Sequence, residues 1–227
     1  CWTLEDARAI AARAAPGAKV VLMGAGFIGC IILEALASRG VELTVVELEN
    51  RMVPRMMNEA SGGLIKRWCE GRGVRVLTST RVEGISSGQP LEVSLSGGTT
   101  LGADLVISAT GVRPNTEFLA NSGVEVDHGI LVNEHLQTSC DGVFAAGDVA
   151  QGRDFSTGEY SVQAIQPTAV EHGKTAASNM VDGKEVVHRG CLNMNILDTM
   201  GLVSTSFGAW EGVDGGQSAE LSDPDRY

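Results

Sequence analysis

The sequence predicts an α/β fold: a parallel sheet with an inserted β-meander, followed by part of a second α/β unit. Three observations point to it. Short apolar runs of strand length alternate with segments whose apolar residues recur at helical spacing. A glycine-rich turn, Gly24-Ala25-Gly26-Phe27-Ile28-Gly29, joins one such run to one such segment. Glycine is abundant, 29 residues of 227, while aromatic residues make up only 4%, which suits a sheet protein with tight turns at its strand ends.

Thr3-Leu4-Glu5-Asp6 opens the first helix. Thr3 can cap the free amides, and the acidic pair suits the positive end of the helix dipole. Pro16-Gly17 should stop that helix. Ala18 to Met23 reads as a buried strand that feeds directly into the glycine turn. After Gly29 a helix carries Ile28, Ile31, Ile32, Leu36 and Ala37 on one face, with Gly40 expected as its C′ residue. Leu43 to Val46 is a second strand ending at Glu47, which completes a βαβ unit. A helix is expected over Asn58 to Glu70 and a third parallel strand over Val74 to Leu77. Val82 to Leu95 and Thr100-Leu101 alternate apolar and polar residues, broken by Gly88 and Gly97-Gly98, the pattern of a β-meander. Asp104 to Ser108 is a further strand, ending at Gly111 and Pro114-Asn115.

Beyond that point periodicity weakens. Val143 to Ala146 reads as a short buried strand running into Gly147-Asp148, and a helix is expected from Thr168 to Val181, ended by Asp182-Gly183. From His188 onward, Asn193 to Leu197 suggests strands of another unit, too short for a core of its own. An opening at Cys1 without Met and a stop at Tyr227 read as a piece of a longer chain.

The net charge of −11 and a pI near 4.8 leave no basic face for nucleic acid and suit a soluble surface. No apolar run is long enough to span a membrane, and no basic segment precedes an apolar one as in a secretory signal. Five cysteines (Cys1, Cys30, Cys69, Cys140, Cys191) lie far apart with no CxxC pair, so reduced thiols in a cytoplasmic protein are expected. His128, His135 and His188 show no metal-ligand spacing, and no metal is expected.

The glycine turn carries the clearest chemistry. In GxGxxG the first glycine permits the tight turn, the second lets the backbone approach a pyrophosphate, and the third lets helix and strand pack closely. The helix N-terminus then offers amides and a positive dipole to the phosphates. Glu47 follows at the end of the second strand, about 20 residues on, where a carboxylate accepts hydrogen bonds from a ribose 2′-OH and repels a 2′-phosphate. NAD(H) is therefore expected over NADP(H). A solvated strand-end glutamate is the plainer account of Glu47, and Arg51 nearby is free to contact a phosphate instead. Asp148, after Gly147, is placed to hold sugar hydroxyls or simply to cap a turn.

Taken in order, GAGFIG, VVELENR, DLVISATGVRPN and GVFAAGDVA, with a glycine-containing helix after them, resemble the FAD-dependent pyridine nucleotide-disulfide oxidoreductase family. The resemblance is closest to the NADH-dependent members that reduce ferredoxins, rubredoxins, nitrite reductase centres or oxygen. It implies a Rossmann-like NAD domain at 18–115, inserted in part of a second, FAD-binding α/β domain. Residues 1–17 would be a linker helix from the FAD domain, 116–185 its second half, and 186–227 the truncated start of a C-terminal interface domain.

By the same resemblance Gly24, Gly26, Phe27, Ile28, Gly29 and Glu47 hold NAD(H). Gly111, in the Ala109-Thr110-Gly111 segment, passes close to the nicotinamide. Gly147 and Asp148 meet the FAD ribityl chain, and Thr168 and Ala169 place a helix N-terminus at the flavin pyrimidine edge. The family's first FAD motif is absent from this sequence, and Ile31 stands where many members have Glu. Glu34 lies one turn further on. Cys30 is either a thiol activated by the helix N-terminus or a small packing residue. His172 is either a proton donor or a structural or flavin-contact residue. No side chain offers a convincing catalytic acid, base or nucleophile. The implied function is hydride transfer from NADH to FAD with electrons passed to a second acceptor, which can be a protein. An NAD(H)-binding fragment or sensor without turnover is the alternative. Homodimerisation of the complete protein stays open.

Overall fold

A computed structural model describes residues 3–183, 186–221 and 223. In chain order the elements are α1 (Leu4–Arg13), β1 (Lys19–Met23), α2 (Phe27–Ala37), β2 (Glu42–Val46), α3 (Glu59–Glu70) and β3 (Arg75–Leu77). The strands β4 (Val82–Ser86), β5 (Leu91–Leu95), β6 (Thr100–Ala103), β7 (Leu105–Ser108), β8 (Ile130–Leu131), β9 (Ala150–Arg153) and β10 (Tyr160–Val162) come next. The last elements are α4 (Gln166–Asp182), β11 (Met194–Thr199) and β12 (Leu202–Phe207). The described residues fall into two compact units. One takes the chain up to Gly111, Asn195–Ser206 and the residues from Trp210 on; the other takes Val112–Met194 and Phe207–Ala209.

The first unit is built on a sheet of order β3-β2-β1-β7, with every pairing parallel. Val20 and Leu22 of β1, with Leu43 and Val45 of β2, enter a core shared with Leu33 and Leu36 of α2 and Ile65 of α3. Val21 and Val46 point the other way and pack with Val93, Leu95 and Ala103 of the antiparallel meander β4-β5-β6. Both faces of β1 are therefore covered, which is why it reads as a continuous apolar run and not an alternating one. Each buried Val or Leu contributes about 1.5–3 kcal/mol. The paired strands β11 and β12 put Leu197 and Leu202 into the same large core, so this pair is anchored without needing a core of its own.

The second unit holds a three-stranded sheet, order β10-β9-β8, with β8 and β9 parallel and β9 and β10 antiparallel. Its core gathers Ile130, Val132, Leu136, Ala145, Ala150 and Ala176. Here the sequence expectation needs correction. Val143 to Ala146 is not a strand: Phe144 makes a single bridge to Gln137, and Val143 is 44% exposed. Gly147, with φ of +76°, turns the chain into a 3-10 turn over Gly147–Val149, and the ladder begins only afterwards, at β9. A short apolar run that pairs only at one bridge cannot be told from a strand by pattern alone. Gly40 also shifts role. The C-cap of α2 is Ser38, and Gly40, with φ of +74°, reverses the chain two residues later.

Candidate functional site

In the first unit β1 connects forward to β2 on one side, while β7 lies on the other, so the order of the sheet reverses between β1 and β7. Ligands of open α/β sheets bind at such a point, beyond the carboxyl ends of the strands. The glycine turn lies there, and its three glycines divide the work. A Cβ on Gly24 would come 2.5 Å from the Ala109 carbonyl oxygen, and Gly24 has φ of +95°, so the turn fits under the end of β7 only as glycine. A Cβ on Gly29 would come 2.2 Å from the Gly24 carbonyl oxygen, so α2 can approach its own turn only as glycine too. Gly26 differs: nothing lies within 4 Å of the position a Cβ would take, and the backbone there is open to an incoming group.

α2 begins at this open point. Gly26 is its N-cap, no side chain accepts a hydrogen bond from its first amides, and no acidic residue occupies its first turn. The first amides of α2 thus have no capping side chain and no acidic residue in their own turn, which suits them to a phosphate. By contrast Thr3 and Asp6 form a capping box on α1, and Asn58 caps α3.

Glu47 is 7% exposed, and both its carboxylate oxygens are engaged. Oε2 accepts from the Ala25 amide at 2.6 Å and Oε1 from the Glu49 amide at 2.9 Å. The side chain therefore braces the glycine turn and brings a fixed negative charge to its edge. Arg51 is not held out toward a ligand. Its guanidinium donates to the carbonyls of Met57 and Pro54 and to Asn50 Oδ1, closing its own loop. Glu34 is likewise engaged, accepting from the Met200 amide at 3.1 Å. Ile31 and Ile28 are exposed on α2. Cys30 is fully buried, and burial first, then the neighbouring Cys69 and Glu47, pushes its thiol up to about 12, with Thr199 opposing. The packing account of Cys30 holds, and the activated thiol does not.

In the second unit the Gly147–Val149 turn packs against the first turn of α4, with Ala169 Cβ 3.6 Å from where a Gly147 Cβ would be. Asp148 is exposed at this turn. α4 resembles α2 at its start: no side-chain cap, no acidic residue in the first turn, and Pro167 where an amide would have been unpaired in any case. Thr168 is 4% exposed, so what it can offer outward is its backbone. His172 is buried too, its ring nitrogen Nε2 3.2 Å from Cys191 Sγ. Burial, then the adjacent His188, pulls its pKa down to about 4, so near neutral pH the ring lacks the imidazolium proton that a general acid would give. Gly111, with φ of +109°, ends the first unit, and the Ser108 and Thr110 hydroxyls pair at 3.2 Å just before it. Sequence reasoning missed the contact of Ala109 with Gly24 and the bond from Ala25 to Glu47. Neither leaves a signal along the chain.

A family model described as pyridine nucleotide-disulphide oxidoreductase matches residues 2–177. The chain belongs to this family. The epsilon subunit of NADH-dependent phenylglyoxylate dehydrogenase from Aromatoleum evansii is 33% identical over 219 residues, 95% of this chain and 51% of that protein. A rubredoxin-NAD(+) reductase from Acinetobacter baylyi is 36% identical over 136 residues, 59% of this chain and 35% of its own. Among solved structures, a NAD-dependent persulfide reductase from A. fulgidus superposes with a TM-score of 0.86 at 30% identity, covering 92% of this chain and 39% of that one. This family member therefore spans about half, or less, of the length of these relatives. Both the glycine turn and the Gly147-Asp148 turn fall inside the family match.

Proposed function

We propose that this chain is the NADH-holding part of an FAD-dependent NAD(P)H oxidoreductase that passes electrons on to a second acceptor. The observation that carries the reading is the open backbone at Gly26 in front of an uncapped, acid-free helix start, with Glu47 fixed beside it. The amides of the turn and of α2 would hold the pyrophosphate, and the Glu47 carboxylate would accept from a ribose hydroxyl while repelling a 2′-phosphate. Gly147, Asp148 and the N-terminal turn of α4 would hold FAD, with Ala169 and the Thr168 backbone at its edge and Gly111 near the nicotinamide. When bound, the two cofactors supply the hydride and electron chemistry; the chain supplies position and electrostatics. The name of the Acinetobacter baylyi relative makes a small electron-carrier protein the acceptor class to try first.

The test uses the full chain. NADH and NADPH are titrated against it by fluorescence, then FAD is added and the visible spectrum is followed anaerobically as NADH is introduced. NADH should bind better than NADPH. Glu47→Ala should weaken NADH about tenfold, a loss of about 1.4 kcal/mol, and narrow the gap to NADPH. An unchanged NADH affinity in that variant removes Glu47 from the site. A flavin band that bleaches with NADH shows the hydride path in this chain; NADH binding without bound flavin reduces its own role to binding.

A further inference from the structure

In the second unit, beginning one turn along α4 from Thr168, three side chains with metal-ligating atoms are buried. His172 comes from α4, and His188 and Cys191 from the segment that follows it. They are 2%, 5% and 4% exposed. Cys191 Sγ lies 3.2 Å from His172 Nε2 and 3.6 Å from His188 Nε2, and the ligating atoms of all three fall within 4.8 Å of one another. The two imidazoles meet edge to face, their centroids 4.7 Å apart at 82°. A tetrahedral zinc ion takes thiolate at about 2.3 Å and imidazole at about 2.0–2.1 Å, which sets sulfur and nitrogen ligands roughly 3.5 Å apart. Both separations in the structure fall close to that spacing.

We propose that His172, His188 and Cys191 form a site for a zinc-class divalent cation, with its fourth position facing the Glu171 carboxylate. This inference is independent of the nucleotide-binding reading. Glu171 Oε1 is 3.8 Å from His188 Nε2 and lies on the exposed side of the cluster. The ring nitrogen that faces the cluster is His172 Nε2, on the Cys191 sulfur; Nδ1 points elsewhere and has no hydrogen-bond partner among the described residues. The environment suits ligation. All three side chains are buried, and their ligating atoms face one another. Binding the cation would release the Cys191 thiol proton to solvent and form the metal–sulfur bond with no change of oxidation state. A borderline cation taking one thiolate and two imidazoles in tetrahedral geometry is of the zinc class. The expectation of no metal rested on spacing along the chain, and these three residues meet only through the fold.

To test this, the full chain is stripped with a chelator, titrated with Co²⁺ and, separately, loaded with Zn²⁺. One ion per chain is expected, with a thiolate-to-cobalt charge-transfer band in the near ultraviolet. The zinc X-ray absorption shell should fit one sulfur at about 2.3 Å beside nitrogens at about 2.0–2.1 Å. Cys191→Ser and His172→Gln should each weaken Co²⁺ binding at least tenfold and abolish or alter the band, while Cys140→Ser should leave both unchanged. No uptake by the wild-type chain, a shell without sulfur, or a band that survives Cys191→Ser overturns the proposal. Where a buried variant fails to fold, the wild-type absorption shell decides alone.

Discussion

The two units prepare a helix N-terminus by different routes. In the first, β1 runs directly into the glycine turn and α2, so strand, turn and helix are contiguous and their geometry is set by three glycines in six residues. In the second, the Gly147–Val149 turn and α4 are separated along the chain by β9 and β10 and are brought together by the fold, where Gly147 faces Ala169. Both helices start without a side-chain cap and without an acidic residue in the first turn, whereas α1 and α3 are capped from within the protein. An orphan amide must find an acceptor somewhere. Where the chain supplies none beside an open backbone, as at Gly26, a ligand is the proposed acceptor.

Gly29→Ala is the harshest test of the contiguous route. Its Cβ would fall 2.2 Å from the Gly24 carbonyl oxygen, which is backbone and cannot step aside, so α2 must move off its turn. Overpacking of this kind costs about 1–3 kcal/mol or more. Thermal or urea unfolding should show that loss together with loss of NADH affinity, and a variant as stable as the parent would break the comparison.

Cys30 asks how far the field of the α2 N-terminus reaches. Its thiol is buried and raised from about 9 to about 12, so it is neutral in the folded state over the whole ordinary pH range. The neutral form is favoured by folding, so the associated stability is complete below pH 9 and is lost as pH rises toward 12. A shift of that size cuts the thiolate fraction about a thousandfold. Alkylation followed by mass spectrometry at pH 8 should mark the half-buried Cys140 well before Cys30, and urea should erase the difference. Rapid labelling of native Cys30 would mean that the helix field outweighs burial.

Gly26→Ala isolates the ligand from the fold. Its φ of −75° suits any residue and its Cβ would meet nothing within 4 Å, so stability should stay within about 0.5 kcal/mol of the parent. The added methyl would occupy the space assigned to the pyrophosphate, and NADH affinity by fluorescence titration should fall about tenfold, or about 1.4 kcal/mol. The smallest effect belongs to a capped helix. Asn58→Ala removes the acceptor for the Ser61 amide at the start of α3 and should cost about 1 kcal/mol of stability in urea unfolding, with NADH affinity unchanged. Together these variants separate helix starts that serve the fold from the one that serves a ligand.

Much of the first unit was legible in advance because its signals are local. A buried parallel strand is a short apolar run, a GxGxxG turn is six consecutive residues, and the meander announces itself by alternation. Gly24, Gly26, Gly29 and Glu47 could thus be named from the chain. The second unit was read less well, because its strands have two to four residues and its regular ladder starts after Gly147-Asp148, where the sequence suggested it ended. What the sequence determined by itself is the α/β class, the glycine turn and the carboxylate at the end of β2, since each depends on neighbours within one element or one turn. Only the tertiary structure decided that Glu47 grips the Ala25 amide, that Ala109 closes over Gly24, that Cys30 is buried, and that His172, His188 and Cys191 converge. Those are contacts between residues far apart in the chain, fixed by packing and burial, which have no period to read.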